Sequence, residues 1–137
     1  MTNPLRIGVV GAGMITTRGH IPTFRQIPGV EIAAICDTNL ERAQAAAAEF
    51  GIPAAYGDYR EMIEKSRLDA ISVGVPNAFH APASIAGLEA GLHVMCEKPL
   101  ATSLADGEKM VEAAKRAGRV LAINMSQRPR PEVGFLR

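Results

Sequence analysis

The sequence predicts an α/β fold, a doubly wound parallel sheet in a single domain, and three observations predict it. Short apolar runs of strand length alternate with helix-length stretches along nearly all of the 137 residues. The first run, Ile7 to Val10, ends in a glycine turn, Gly11-Ala12-Gly13. The second run, Val30 to Cys36, ends in an acid, Asp37.

The elements follow in order. Residues 7–10 are apolar throughout, as a strand buried on both faces requires. A helix follows the glycine turn, broken or kinked near Pro22, which has no N–H to donate, and ended by Pro28-Gly29. Strand two runs to Asp37. Residues 39–50 place Ala43, Ala46, Ala47 and Phe50 at helical spacing and stop at Gly51. Residues 54–56 give a short third strand and 59–65 a short helix. Residues 69–75 are strand four; Pro76-Asn77 turns into a helix over 78–90, stopped by Gly91; residues 92–96 are strand five. Ser103 caps a helix to Ala117 with Leu104, Met110, Val111 and Ala114 on its inner face, and residues 120–124 are strand six. Right-handed crossovers then give the strand order 3-2-1-4-5-6, with a ligand at the carboxyl ends of strands one and four. Arg128-Pro129-Arg130-Pro131 breaks the alternation. The expected domain is therefore 1–126, with 127–137 a linker and the start of a further element.

Composition narrows the classes. Hydrophobic residues are 47% and charged residues 21%, which suits a globular domain. A net charge of +1 with interspersed signs gives no footprint for nucleic acid or an anionic membrane. No apolar run approaches a membrane span, and the N-terminus enters a strand with no visible signal peptide. Cys36 and Cys96 close strands that are not neighbours in this order. Free thiols fit a reducing cytoplasm.

The glycine turn carries the first chemistry. Gly11 lets the chain turn tightly out of the strand, and Gly13, without a Cβ, lets a pyrophosphate approach the backbone. The first helical amides, at Met14 and Ile15, are positioned to hold phosphate at the positive end of the helix. Thr16 stands where the fingerprint has a third Gly or Ala. A lone Gly-x-Gly also occurs at plain strand-to-helix turns, so the context decides. Here a strand precedes it, and Asp37 follows Gly13 by 24 residues, slightly more than the usual interval of about 20. A carboxylate at that strand end accepts bonds from the adenosine ribose and repels a 2′-phosphate, which favours NAD over NADP. Asp37 or Asn39 also suits a helix N-cap. Arg42 lies close enough to serve an adenine-side phosphate or to be a solvated helix arginine.

Two further stretches leave the carboxyl edge of the sheet. Val75-Pro76-Asn77-Ala78-Phe79-His80 follows strand four, with Asn77 and His80 expected to face the crevice; Asn77 as an N-cap and His80 as a packed residue are the plainer readings. Cys96-Glu97-Lys98-Pro99 follows strand five. Alcohol dehydrogenation needs a base for the hydroxyl proton as hydride leaves. A lysine serves once burial or a positive nicotinamide ring lowers its pKa. Glu97 is placed to orient it or to bind a ribose. An exposed turn with a weak ion pair is the plainer reading.

These residues together resemble the N-terminal domain of the Gfo/Idh/MocA oxidoreductases, the glucose–fructose oxidoreductase and inositol dehydrogenase family. The matching stretches are Gly11 to Ile15 with His20, Pro28-Gly29-Val30, Asp37 with Glu41-Arg42-Ala43, Pro76-Asn77-x-x-His80, Gly91 to Ala101, and Asn124 to Pro131 with Arg128. The resemblance implies NAD(P)-dependent redox chemistry on sugars or cyclitols. It implies that Lys98 contacts the reacting hydroxyl, and that Glu97, Asn77 and His80 line the nicotinamide half. It also implies a second α/β domain that completes the substrate site and is not in this sequence. The expected function is therefore a nucleotide-binding oxidoreductase domain that binds cofactor without turnover when alone. Surface left by the missing domain would favour self-association. The alternative is a non-catalytic module that senses NAD(H). No metal site is expected.

Overall fold

The computed structural model describes residues 3–126. Six strands form one parallel sheet: β1 (Leu5–Val10), β2 (Val30–Cys36), β3 (Ala55–Tyr56), β4 (Ala70–Val73), β5 (His93–Glu97) and β6 (Leu121–Asn124). Their order is β3-β2-β1-β4-β5-β6, as the alternation of elements predicts. The helices are α1 (Ile21–Phe24), α2 (Leu40–Phe50), α3 (Tyr59–Lys65), α4 (His80–Glu89) and α5 (Leu104–Ala117). The predicted linker 127–137, with Arg128, lies outside the described residues.

Local chemistry sets the helix starts. Asn39, Asp58 and Ser103 each accept a bond from an amide in the first turn of α2, α3 and α5, so Asn39 and not Asp37 is the N-cap. The chain after the glycine turn is not one kinked α-helix. It widens to π geometry over Thr16–His20, where the Ile21 amide donates five residues back to Thr16, before α1 with Pro22 in its first turn.

Two cores sandwich the sheet. Met62, Ile71, Leu88, Val94 and Met110 fill the side of α3, α4 and α5. Val9, Ile21, Ile32, Ile35 and Ala46 fill the side of α1 and α2. Each large aliphatic side chain buried this way stabilises the fold by about 1.5–3 kcal/mol. The predicted inner face of α5 is corrected. Met110, Ala113 and Ala114 face inward, whereas Leu104 is 80% exposed and Val111 40%. Leu104 and Val111 are seven residues apart and share a stripe, which is turned by about 100° from Met110. On the α1 side, Met95, Val120 and Ala122 line an open groove beside β4–β6. Among the described residues no helix is long and apolar enough to cross a membrane.

Candidate functional site

β1 delivers the glycine turn to the carboxyl edge of the sheet, and neighbouring strands hold it there. The Gly11 amide donates to the Cys36 carbonyl at 2.8 Å. Gly11 has φ +98°, and a Cβ there would lie 2.5 Å from the Gly74 carbonyl oxygen on the strand beside it. Gly13 differs: a Cβ there would meet nothing within 4 Å. The space over Gly13 is open to a ligand, while the space over Gly11 is filled by the protein itself. Met14 and Ile15, next in the turn, have exposed side chains. Thr16 is fully buried, and its hydroxyl donates toward the carbonyls of Gly11 (2.8 Å) and Gly13 (2.9 Å). Its methyl fits because Gly74 has no Cβ; one would sit 2.4 Å from Thr16 Cγ2. The small residue that the fingerprint places on the helix is supplied here by Gly74, directly after β4.

A cleft of about 350 Å³ opens over this turn. Gly11, Gly13, Asp37 and Arg42 line it, as expected, together with Val75 and Pro76 from the turn after β4. Thr38, Gly57, Asp58, Tyr59 and Phe79 also line it and were not anticipated. Gly57-Asp58-Tyr59 follows β3, so the strand-end rule that found Asp37 would have found them had the two-residue strand been firmer evidence.

Asp37 is buried and accepts three hydrogen bonds, with room for one more on Oδ2. Oδ2 accepts from the Ala12 amide at 2.9 Å; Oδ1 accepts from the Asn39 amide and from Arg42 Nη2, each at 2.8 Å. The carboxylate thus ties the glycine turn to the start of α2. Burial pushes its carboxyl up, but hydrogen bonds from Arg42, Ala12 and Asn39 outweigh this and hold it below its ordinary 3.8. Arg42, exposed at its outer end, serves this carboxylate.

The turn after β4 departs from expectation. Asn77–Phe79 is a 3₁₀ turn with no side-chain cap, so Asn77 is exposed and is not an N-cap. His80 does not face the crevice. It is 1% exposed, with Nδ1 2.6 Å from the Pro99 carbonyl and Nε2 2.9 Å from the Val75 carbonyl. The plainer reading of His80 as a packed residue therefore holds, and the ring turns inward between two loops.

The Glu97-Lys98-Pro99 turn follows β5, with a cis bond before Pro99. Lys98 is exposed. Glu97 is 8% exposed, and it contacts the Lys98 backbone: Oε2 accepts from the Lys98 amide at 3.2 Å. Its other oxygen accepts from His20 Nε2 at 2.8 Å and from Asn124 Nδ2 on β6. His20 Nδ1 lies 2.7 Å from Ser72 Oγ. Burial pushes the Glu97 carboxyl up, but bonds from His20, Asn124 and the Lys98 amide hold it below its ordinary 4.5. An ionised carboxylate only accepts, so Nε2–H donates to Glu97, while Nδ1 pairs with the Ser72 hydroxyl. Ser72 and His20 belong to this cluster and were not predicted as site residues.

The two depressed carboxyls give stability a sign in acid. A group whose folded pKa lies below its unfolded value stabilises above the unfolded pKa, and loses that contribution as pH falls through the folded one. Urea unfolding free energy should therefore drop between about pH 5 and pH 3. It should drop less steeply in Asp37→Asn and in Glu97→Gln; slopes equal to that of the parent would contradict the bonding described.

Cys36 lines the cleft; Cys96 does not. Cys36 and Cys96 are buried and free, on strands separated by β1 and β4. Burial pushes the Cys36 thiol up to about 12 and raises that of Cys96. Among the described residues no cluster of ligating side chains suits a metal ion.

Comparison with known proteins agrees with this geometry. Residues 5–125 match the family model described as "Oxidoreductase family, NAD-binding Rossmann fold". D-glucoside 3-dehydrogenase of Escherichia coli K12 is 35% identical over 93% of this chain and 36% of its own length. Inositol 2-dehydrogenase of Salmonella paratyphi B is 34% identical over 97% of this chain and 37% of its own. The crystal structure of the WlbA dehydrogenase from Bordetella pertussis, in complex with NADH and UDP-GlcNAcA, superposes with a TM-score of 0.92 at 33% identity. That match covers 98% of this chain and 41% of that one. The chain thus spans little more than a third of the length of the curated relatives it matches. With the glycine turn, the strand order and a family match over nearly the whole of its described residues, the chain belongs to the Gfo/Idh/MocA oxidoreductases, as their NAD-binding Rossmann domain.

Proposed function

We propose that this chain is the cofactor-binding part of an oxidoreductase that moves hydride between a nicotinamide dinucleotide and a hydroxyl carbon of a sugar or cyclitol. One observation carries the reading. The space over Gly13 is open, it shares a cleft with Asp37, and Lys98 stands exposed on the same sheet edge. The cofactor supplies the hydride chemistry. The chain's residues bind, orient and take up a proton. The amides of Gly13, Met14 and Ile15 meet the pyrophosphate. Asp37 and Arg42 serve the adenosine side; Val75, Pro76 and Asn77 border the nicotinamide side. Glu97 and Asn124 hold the turn that carries Lys98, and Lys98 Nζ accepts the hydroxyl proton. Arg128, in the proposed linker 127–137, belongs to the same side.

This chain alone binds nucleotide without turnover. Hydride transfer needs the alcohol carbon held against the nicotinamide with water largely excluded, and one domain walls only one side. No NADH should form when the chain is mixed with NAD and a panel of polyols and inositols; clear turnover would mean that the site is misplaced. The cysteine chemistry supports a reducing, cytoplasmic setting. Self-association through the open groove along β5 and β6 belongs to the same proposal, and sedimentation at rising concentration checks it.

Cofactor choice follows from Asp37. Its carboxylate would repel a 2′-phosphate, so calorimetry should find NADH bound roughly tenfold tighter than NADPH, a difference of about 1.4 kcal/mol. Asp37→Ala releases Arg42 from its ion pair. The preference should then vanish or reverse, because a free guanidinium pairs well with phosphate. Equal affinities in the parent would overturn the role given to Asp37.

A further inference from the structure

We propose that His20 and His80 are positioning residues that clamp the Glu97-Lys98-Pro99 turn from opposite faces of the sheet. The inference rests on the reading that this turn borders the nicotinamide half of the cofactor.

Both imidazoles are buried, 5% exposed at His20 and 1% at His80. A buried polar ring is costly unless it is hydrogen-bonded, and an aliphatic side chain would fill either space more cheaply. Each ring places one nitrogen on the same short segment. His20 comes from the α1 face and holds the Glu97 carboxylate at 2.8 Å, backed by Ser72 at 2.7 Å. His80 comes from the α4 face, its Nδ1 2.6 Å from the Pro99 carbonyl and its Nε2 2.9 Å from the Val75 carbonyl; a neutral ring donates to one of the two and packs against the other. Lys98 lies between the two anchored residues, so its backbone is fixed on both sides while its side chain stays free.

The local backbone is built around these reaches. His20 closes the π turn, whose extra residue per turn changes the direction of its side chain relative to an α-helix. Gly74 makes room for Thr16 on the same turn: a Cβ there would clash with Thr16 Cγ2 at 2.4 Å, whereas it would meet His20 Cε1 at an ordinary 3.6 Å. The His80 ring thus lies between the turn after β4 and the turn after β5 and ties their positions together.

The test uses the whole chain and four variants: His20→Leu, His20→Gln, Ser72→Ala and His80→Leu. NADH probes both halves of the cleft, whereas ADP probes only the adenosine and phosphate half. His20→Leu and His80→Leu should each weaken NADH at least tenfold while ADP stays within about twofold. His20→Gln keeps a donor for Glu97 and should recover most of the loss. Ser72→Ala, which leaves the ring in place, should give a smaller loss of the same selective kind. In amide spectra the Lys98 signal should shift or broaden in the His→Leu variants while that of Val94, inside β5, stays put. Equal losses for NADH and ADP, or an unmoved Lys98 signal, would overturn the clamp. A Lys98 signal that moves while NADH affinity holds would support the clamp and overturn the placement of the nicotinamide. If the parent binds neither nucleotide, the functional reading fails and the amide spectra still decide the clamp. Should His20→Leu fail to fold, Ser72→Ala and His20→Gln carry the comparison.

Discussion

Gly13→Val should abolish nucleotide binding and leave the fold almost untouched. A Cβ at Gly13 meets no protein atom within 4 Å, and the residue is not among the glycines with positive φ. The folded state therefore accepts a side chain there, with a stability change of about 0.5 kcal/mol or less, as at other open surface positions. The ligand does not accept it. A pyrophosphate that packs against the backbone at this turn would meet two methyl groups in the space it needs, and the amides behind them would be screened. The affinity for NADH should fall more than a hundredfold, about 2.7 kcal/mol or beyond. Calorimetry measures the loss, and thermal unfolding by circular dichroism measures the fold. Retained binding would show that phosphate does not pass over Gly13. Unfolding would show that the residue serves packing.

The architecture was legible in the sequence because each clue is local. Apolar runs of strand length, stops at Gly51 and Gly118, and caps at Asn39 and Ser103 each depend on a few neighbouring residues. Their alternation then leaves little freedom in topology. Asp37 was legible for the same reason, since a strand end can be counted. What was missed depends on contacts between distant elements. His20 and Ser72 join the expected Glu97 and Asn124 from two further elements, and the four meet only when β4, β5 and β6 align. His80 reads as a crevice residue from its place after a strand, yet its ring turns inward to carbonyls 5 and 19 residues away. The stripe on α5 was misjudged because Leu104 and Val111 are themselves seven apart, and hydropathy alone cannot choose between two adjacent stripes.

Gly11→Ala should do the opposite of Gly13→Val, although the two glycines are one residue apart. Gly11 sits at φ +98°, a conformation L-residues rarely adopt, and its added Cβ would stand 2.5 Å from the Gly74 carbonyl oxygen. That oxygen belongs to backbone, so no rotamer change relieves the contact; β1 and β4 would have to part at the edge where Gly74 bonds to Val10 at 2.9 Å. Strain and clash together should cost about 3–5 kcal/mol, a large share of the 5–15 kcal/mol that holds a typical domain. The melting temperature should drop by roughly 10–20 °C, and nucleotide binding should fall only as far as the folded fraction falls. Gly74→Ala is the informative companion. Its Cβ would meet the Thr16 methyl at 2.4 Å, a side-chain atom that a second substitution removes. Thr16→Ser deletes that methyl and keeps the hydroxyl bonds to Gly11 and Gly13. The double variant should therefore recover much of what Gly74→Ala loses, whereas Thr16→Ser should recover nothing in Gly11→Ala. Coupling of Thr16 to Gly74 but not to Gly11 is the signature of a close contact whose small residue has moved from the helix to the end of β4. Equal recovery in both backgrounds, or in neither, would mean that the tight packing lies elsewhere.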